Sequence, residues 1–237
     1  MIGRTRVRWR WWLAIGALMV FVVRGFAGAL DYPPVVAGPP VTRVSSQGTP
    51  STQNATFIAC GEHARKAGSR MSEIVAAINE VWSAHVRVYQ SVAVMPPHAS
   101  SGGCVLYNPV YLNALLHQLM IQDRGVADAM VYAIMAHEVG HELHSDFSPE
   151  RAGMSTQTKE LEADRFAGYT LERLNIGLDN ITPYYSLAGD EFSGGQTHAA
   201  SRHGDSMRRT AALKRGWDSA EWNQPEDYRS LSDDDQP

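Results

Sequence analysis

The chain has 237 residues, 44% of them hydrophobic, and these values exclude a wholly disordered protein. This length suits one domain with tails, or at most two small domains. The formal net charge is −4, without the basic surplus that a nucleic-acid-binding surface needs, so we expect no nucleic-acid partner.

The first 29 residues have the three-part pattern of a secretory signal peptide. They contain five arginines and no acidic residue, an apolar run at Trp11–Val23, and an A-x-A cleavage site at Ala27-Gly28-Ala29. The apolar run of 13 residues is shorter than the roughly 20 that span a bilayer. The pattern therefore predicts cleavage and export to the periplasm. The alternative is membrane association through an uncleaved inner-membrane anchor at residues 11–30, with Arg24 reaching the membrane surface.

Composition divides the rest of the chain into three parts. Residues 30–56 are rich in Pro, Ser and Thr and lack periodicity, which predicts a linker. Residues 224–237 are polar and carry an acidic run near their end, which predicts a tail. Residues 57–223 are therefore the predicted folded domain.

Within this domain the hydrophobic periodicity predicts five helices and two strands. In chain order we expect helices at 72–84, 110–121, 126–144, 159–174 and 205–214, and strands at 86–94 and 104–107. Asn108 and Pro109 are the expected N-cap and first residue of the second helix. Asp205 is the expected N-cap of the last helix, and Gly216 is expected to stop it. The predicted fold class is α+β, mainly helical, with a small sheet.

The two cysteines, Cys60 and Cys104, are compatible with one disulfide in an exported protein. Zinc ligation by them is a weaker interpretation, because they are isolated and have no C-x-x-C spacing. Two buried thiols without a bond are the remaining alternative.

The sequence HEVGH at residues 137–141 lies near the end of the third predicted helix. On a helix, His137 and His141 are one turn apart on the same face, so both imidazoles can bind one metal ion. Glu138 points to the side and is free to act as a general base on a metal-bound water. Gly140 costs roughly 1 kcal/mol relative to alanine inside a helix, which predicts close approach by another element.

A second motif, KELEAD, occupies residues 159–164 on the next predicted helix. Glu160 would complete a His₂Glu site, and Asp164, one turn later, could accept the N–H of a ligand imidazole, with His137 favoured. This ligand set suits zinc, at one ion per chain. An HExxH sequence can arise by chance on an ordinary amphipathic helix, but the added ExxxD on a second helix disfavours that interpretation.

Two histidines in a Gly-rich segment are candidates for a further role. Either His198 or His203 could donate a hydrogen bond to the oxyanion of the reaction or bind zinc as a fourth ligand in a latent form. The position relative to Arg209 favours His203, and a plain surface histidine is the alternative. Four other histidines lie outside any ligand spacing and are expected to be core or surface residues: His63, His85, His98 and His117.

HEVGH followed by KELEADRFAG resembles the gluzincin metallopeptidases of the HtpX and CAAX prenyl protease type, including their soluble periplasmic members. In that family the first Glu of ExxxAD is the third zinc ligand, which implies Glu160 and not Glu162. The family also has a His-Pro-x-x-x-x-Arg segment, matched here by His203–Arg209 with Gly204 in place of Pro. The resemblance covers roughly residues 70–215 and implies a zincin-like metallopeptidase domain.

These observations predict a zinc-dependent endopeptidase that hydrolyses peptide bonds in exported or envelope proteins. Its substrate is a protein or peptide, Glu138 is the general base, and His203 is the second candidate catalytic residue. The alternative is a zinc-stabilised envelope assembly or chaperone-like binding factor with little turnover. The intact Glu138 favours the enzyme, because a purely structural site has no use for a free carboxylate there.

Overall fold

The computed structural model describes residues 55–185 and 206–221, all within one compact unit of the chain. The predicted signal peptide, nearly all of the linker and the polar tail lie outside the described residues. Asp205, His198 and His203 lie outside them as well. Within these residues, none of the helices combines the length and the apolar character that crossing a bilayer requires.

Five helices account for most of the described residues, so the domain is mainly helical. They are α1 (Ser69–Trp82), α2 (Pro109–Gln118), α3 (Arg124–Leu143), α4 (Thr156–Arg173) and α5 (Ser206–Glu221). A 3-10 turn at Pro149–Arg151 lies between α3 and α4, and residues 182–185 form a further helical turn. The five predicted helices are confirmed with shifted ends. The expected stop at Gly216 is wrong, because α5 continues through this residue to Glu221.

A small mixed sheet completes the α+β fold. Its strands are β1 (Phe57–Ala59), β2 (Glu62–Lys66), β3 (Arg87–Ser91), β4 (His98–Ser100) and β5 (Cys104–Tyr107), in the spatial order β1-β2-β3-β5-β4. The two predicted strands, β3 and β5, form the parallel pair, and the other three pairings are antiparallel. The sequence did not predict the other three strands. β1 and β4 have only three residues, too few to display a period, and β2 (EHARK) contains a single apolar residue.

Asn108 fixes the start of α2 as predicted. Its Oδ1 accepts hydrogen bonds from the backbone N–H groups of Val110 and Tyr111, and Pro109 occupies the first helical position. Its Nδ2 donates to the carbonyl oxygens of Ser91 and Ala93. One buried amide therefore caps the helix and also holds the segment that follows β3.

Helix α3 is the central element of the domain and packs against α1, α4, β4 and β5. Its residues from Ala129 to His141 are nearly all buried. A Cβ added at Gly140 would lie 3.2 Å from atoms of Phe166 on α4, so the predicted close approach at this glycine is confirmed. The two helices can therefore bring their polar residues into one site.

Helices α4 and α5 are in closer contact still. A Cβ added at Gly168 would overlap the carbonyl group of Leu213, and one added at Gly216 would overlap the carbonyl group of Arg165. Gly216 therefore serves the packing of two helices and does not end one, which is why the stop signal misled the sequence interpretation. This contact places the middle of α5 beside the middle of α4.

The structure joins Cys60 and Cys104 in a disulfide. The bond connects the end of β1 with the start of β5 across a sequence separation of 44 residues. A loop of that length corresponds to about 4 kcal/mol of stabilisation in the chain-entropy model. The disulfide thereby links the edge strand β1 to β5, the neighbour of the opposite edge strand β4.

Candidate metal centre

His137 and His141 on α3 and Glu160 on α4 form one buried group. The Nε2 atoms of the two histidines are 3.1 Å apart. Glu160 Oε2 lies 3.2 Å from His137 Nε2, and Glu160 Oε1 lies 3.5 Å from His141 Nε2. The three side chains that the sequence predicted as ligands therefore present their ligand atoms to one point.

These distances can be compared with those that a metal would impose. Zinc binds nitrogen and oxygen at about 2.0–2.1 Å in tetrahedral sites, so two ligand atoms on one ion lie about 3.3 Å apart. The three observed separations of 3.1, 3.2 and 3.5 Å are close to that value. The donor set could thus hold a divalent ion, with one oxygen of Glu160 facing each imidazole.

Asp164 orients the first of these histidines. Its Oδ1 lies 2.8 Å from His137 Nδ1, the contact that the motif led us to expect. Arg209 on α5 donates to both oxygens of the same carboxylate, from Nε and Nη2 at 2.8 Å each. The Tyr185 hydroxyl donates to Oδ1 at 2.6 Å. Asp164 is fully buried, so these donors, and not water, stabilise its negative charge.

The charges of this network shift the pKa values of its members. Burial lowers the pKa of His137, but the carboxylates of Asp164 and Glu160 outweigh burial and raise it to about 10. Burial raises the pKa of Asp164, but Arg209 and His137 outweigh burial and hold it well below its usual value. Without a metal, these carboxylates therefore favour the protonated form of His137, and a metal would have to displace that proton.

Asp146 orients the second histidine, and the sequence gave no indication of this role. Its Oδ2 lies 2.6 Å from His141 Nδ1. The backbone N–H groups of Ser145 and Asp146 donate to the carbonyls of Glu142 and His141, which is a Schellman termination of α3. Ser145 occupies the left-handed position, with φ of 58°. This termination folds Asp146 back over the last helical turn toward His141.

Glu138 is buried beside the three ligands but is not a member of the ligand group. Its Oε2 accepts a hydrogen bond of 2.9 Å from the backbone N–H of Ala99 on β4. That bond uses one lone pair of a carboxylate that has about four, so the group can still accept a proton. The structure therefore places the predicted base between α3 and the edge of the sheet.

A second group of ligand-type atoms, from His144, Asp146 and Glu162, lies next to the first. The guanidinium of Arg151 is already bound there, with its Nε 2.8 Å from Asp146 Oδ1 and its Nη2 paired with Glu162. A cation inserted at this point would have to displace an arginine from two carboxylates. We therefore treat this group as an ion-pair cluster and not as a metal site.

The remaining histidines have no place in a metal site within the part of the chain that the structure describes. His63, His85 and His117 are exposed, and His98 on β4 binds Glu62 Oε1 at 2.9 Å. Arg209, which the sequence singled out as the end of the family segment that begins at His203, lies in the centre of the network around Asp164.

Comparisons with models of known families, with curated proteins and with solved structures gave no match. The functional assignment therefore depends on the geometry of the site.

Proposed function

We propose that this chain is a zinc-dependent metalloendopeptidase with a zincin-like domain of the gluzincin type. One observation carries the proposal. The two imidazole Nε2 atoms lie 3.1 Å apart and each lies within 3.5 Å of a Glu160 oxygen, and the buried Glu138 carboxylate does not belong to this ligand group. A structural metal site has no need of that carboxylate, whereas a hydrolytic site requires it.

Zinc is favoured among the divalent ions by the ligand types. Two imidazoles and one carboxylate suit zinc, whereas magnesium and calcium prefer oxygen ligands alone. Catalytic zinc sites commonly have three protein ligands and leave one position for water or substrate. His137, His141 and Glu160 are a ligand set of that kind.

Each residue of the site has its own role in peptide hydrolysis. His137, His141 and Glu160 hold the ion, and Asp164 and Asp146 orient the two imidazoles. A bound zinc ion supplies Lewis acidity, which makes a water ligand more acidic and polarises a carbonyl oxygen. The Glu138 carboxylate, held by Ala99, accepts a proton from the attacking water and delivers it to the leaving amine nitrogen.

The proposal can be tested on the purified protein. We expect about one zinc ion per chain by elemental analysis, and digestion of an unfolded protein such as casein that stops with a chelator and returns with zinc. A folded, zinc-containing protein that cleaves no casein or envelope protein would contradict the proposal and favour the zinc-stabilised binding factor.

Loss of a ligand should weaken metal binding strongly. Because residues that only orient a ligand are worth 10–100-fold in metal affinity, we expect Glu160→Gln and His141→Ala to weaken zinc binding more than about a hundredfold. The measurement is the dissociation constant by competition with a coloured chelator. Glu172→Gln is the matched control, since it makes the same change further along α4 and should bind zinc like the wild type. Wild-type affinity in both ligand variants would disprove the ligand assignment.

We propose further that the protein is exported, which the Cys60–Cys104 disulfide supports because such bonds persist in oxidising compartments. Mass spectrometry of the protein from its native host should then show an N-terminus at Leu30 and a disulfide-linked peptide pair that separates on reduction. Protein that begins at Met1 and resists carbonate extraction from membranes would establish the anchor instead.

A further inference from the structure

We infer that Asp146, together with Arg151 and Glu162, positions His141 for the metal ion, so that the connector between α3 and α4 controls how tightly the ion is held. This inference rests on the proposed metal centre. It assigns a role to a segment, residues 144–155, for which the motifs provide none.

The geometry makes Asp146 a bridge between the ligand and the connector. Its Oδ2 lies 2.6 Å from His141 Nδ1, and its Oδ1 lies 2.8 Å from Arg151 Nε. Arg151 Nη2 is in turn paired with Glu162 of α4. Asp146 Oδ2 thus makes the hydrogen-bond contact with the imidazole, while Oδ1 lies at ion-pair distance from Arg151 without hydrogen-bond geometry, so the arginine acts on this carboxylate through its charge.

The backbone of the connector is attached as well. Lys159 Nζ on α4 donates to the carbonyl oxygen of Asp146 at 2.5 Å. The side chain of Asp146 is only 3% exposed, and that of Arg151 is 21% exposed. A carboxylate this deeply buried requires a compensating charge, and Arg151 supplies it. The cluster therefore fixes a buried anion beside His141.

This anion determines which nitrogen of His141 can bind a metal. An Nδ1–H that donates to Asp146 leaves the lone pair on Nε2, the atom that faces His137 and Glu160. The other ligand histidine depends on a different part of the chain, namely Asp164 and Arg209. The two imidazoles thus have separate supports, and one support can be weakened while the other remains.

The test measures zinc affinity in full-length variants. We expect Asp146→Ala to raise the zinc dissociation constant 10–100-fold and Asp146→Asn to raise it less, because the amide oxygen can still accept from Nδ1. Arg151→Met should change it in the same direction and by a smaller factor. Arg70→Met is the matched control, because it removes an arginine from the ion pair with Asp128, away from the centre, and should leave the dissociation constant within about twofold of wild type.

A second readout separates positioning from general damage to the fold. In the cobalt-substituted protein the visible absorption reports ligand geometry, and we expect Asp146→Ala to change its bands while Arg70→Met does not. Wild-type affinity and spectrum in Asp146→Ala would overturn the inference and leave the metal centre intact. If Asp146→Ala does not fold, the milder Arg151→Met decides, and a result equal to that of Arg70→Met overturns the inference. A wild-type protein that binds no zinc removes the metal centre itself.

Discussion

Replacing Glu138 with Gln is expected to reduce proteolysis by at least about a hundredfold while the protein stays folded and keeps its zinc. The amide has nearly the same volume, and its oxygen can still accept the N–H of Ala99 that the carboxylate accepts now. It cannot accept a proton at neutral pH, so only the base is lost. The measurements are the initial rate of casein cleavage and the zinc content of the same preparation.

The chain offers a closely matched control in Glu142. This residue follows the second ligand histidine as Glu138 follows the first, and it also faces backbone groups of the hairpin formed by β4 and β5. Glu142→Gln should retain most of the activity. A variant with Glu138→Gln that cleaves casein at the wild-type rate would show that the activity belongs to a contaminant or to another site.

The second large effect is expected from Arg209→Met. Asp164 is fully buried, and Arg209 donates two hydrogen bonds to it. When a metal makes His137 neutral, Arg209 remains as the cation that holds this carboxylate. Removing one partner of a buried ion pair leaves an uncompensated charge and costs about 3–5 kcal/mol. We therefore expect urea denaturation to show a loss of this size in the free energy of unfolding, together with weaker zinc binding.

Lys214→Met provides the comparison on the same helix. Lys214 forms an exposed ion pair with Asp218, and such pairs contribute about 0–1 kcal/mol. Its unfolding transition should therefore lie close to that of the wild type. Equal stability of the Arg209 and Lys214 variants would mean that the charge of Asp164 does not depend on Arg209.

The ligand set could be predicted because the α-helical period determines it. Residues four apart lie on one face, so His137 and His141 follow from HExxH, and Asp164 follows from Glu160 in the same way. The contact between Asp164 and His137 then required only that two predicted helices pack together, and Gly140 indicated such packing.

Other parts of the site depend on features that leave no pattern in the sequence. Asp146 reaches His141 through a helix termination in which Ser145 takes the position usual for glycine. Tyr185 and Arg209 reach Asp164 from segments 21 and 45 residues away, and no local rule connects them. The strand β4, which holds Glu138 through Ala99, has only three residues.

The close crossing of α4 and α5 ties the chemistry of the site to two residues that take no part in it. Glu160 and Asp164 belong to one of these helices and Arg209 to the other, and Gly168 and Gly216 set the distance between them. A methyl group at either glycine would overlap the backbone of the facing helix. It would drive the helices apart and withdraw the arginine from the carboxylate it neutralises, although no polar atom of the site had been altered. Among the residues on which the proposed metal centre depends, two therefore have no side chain at all.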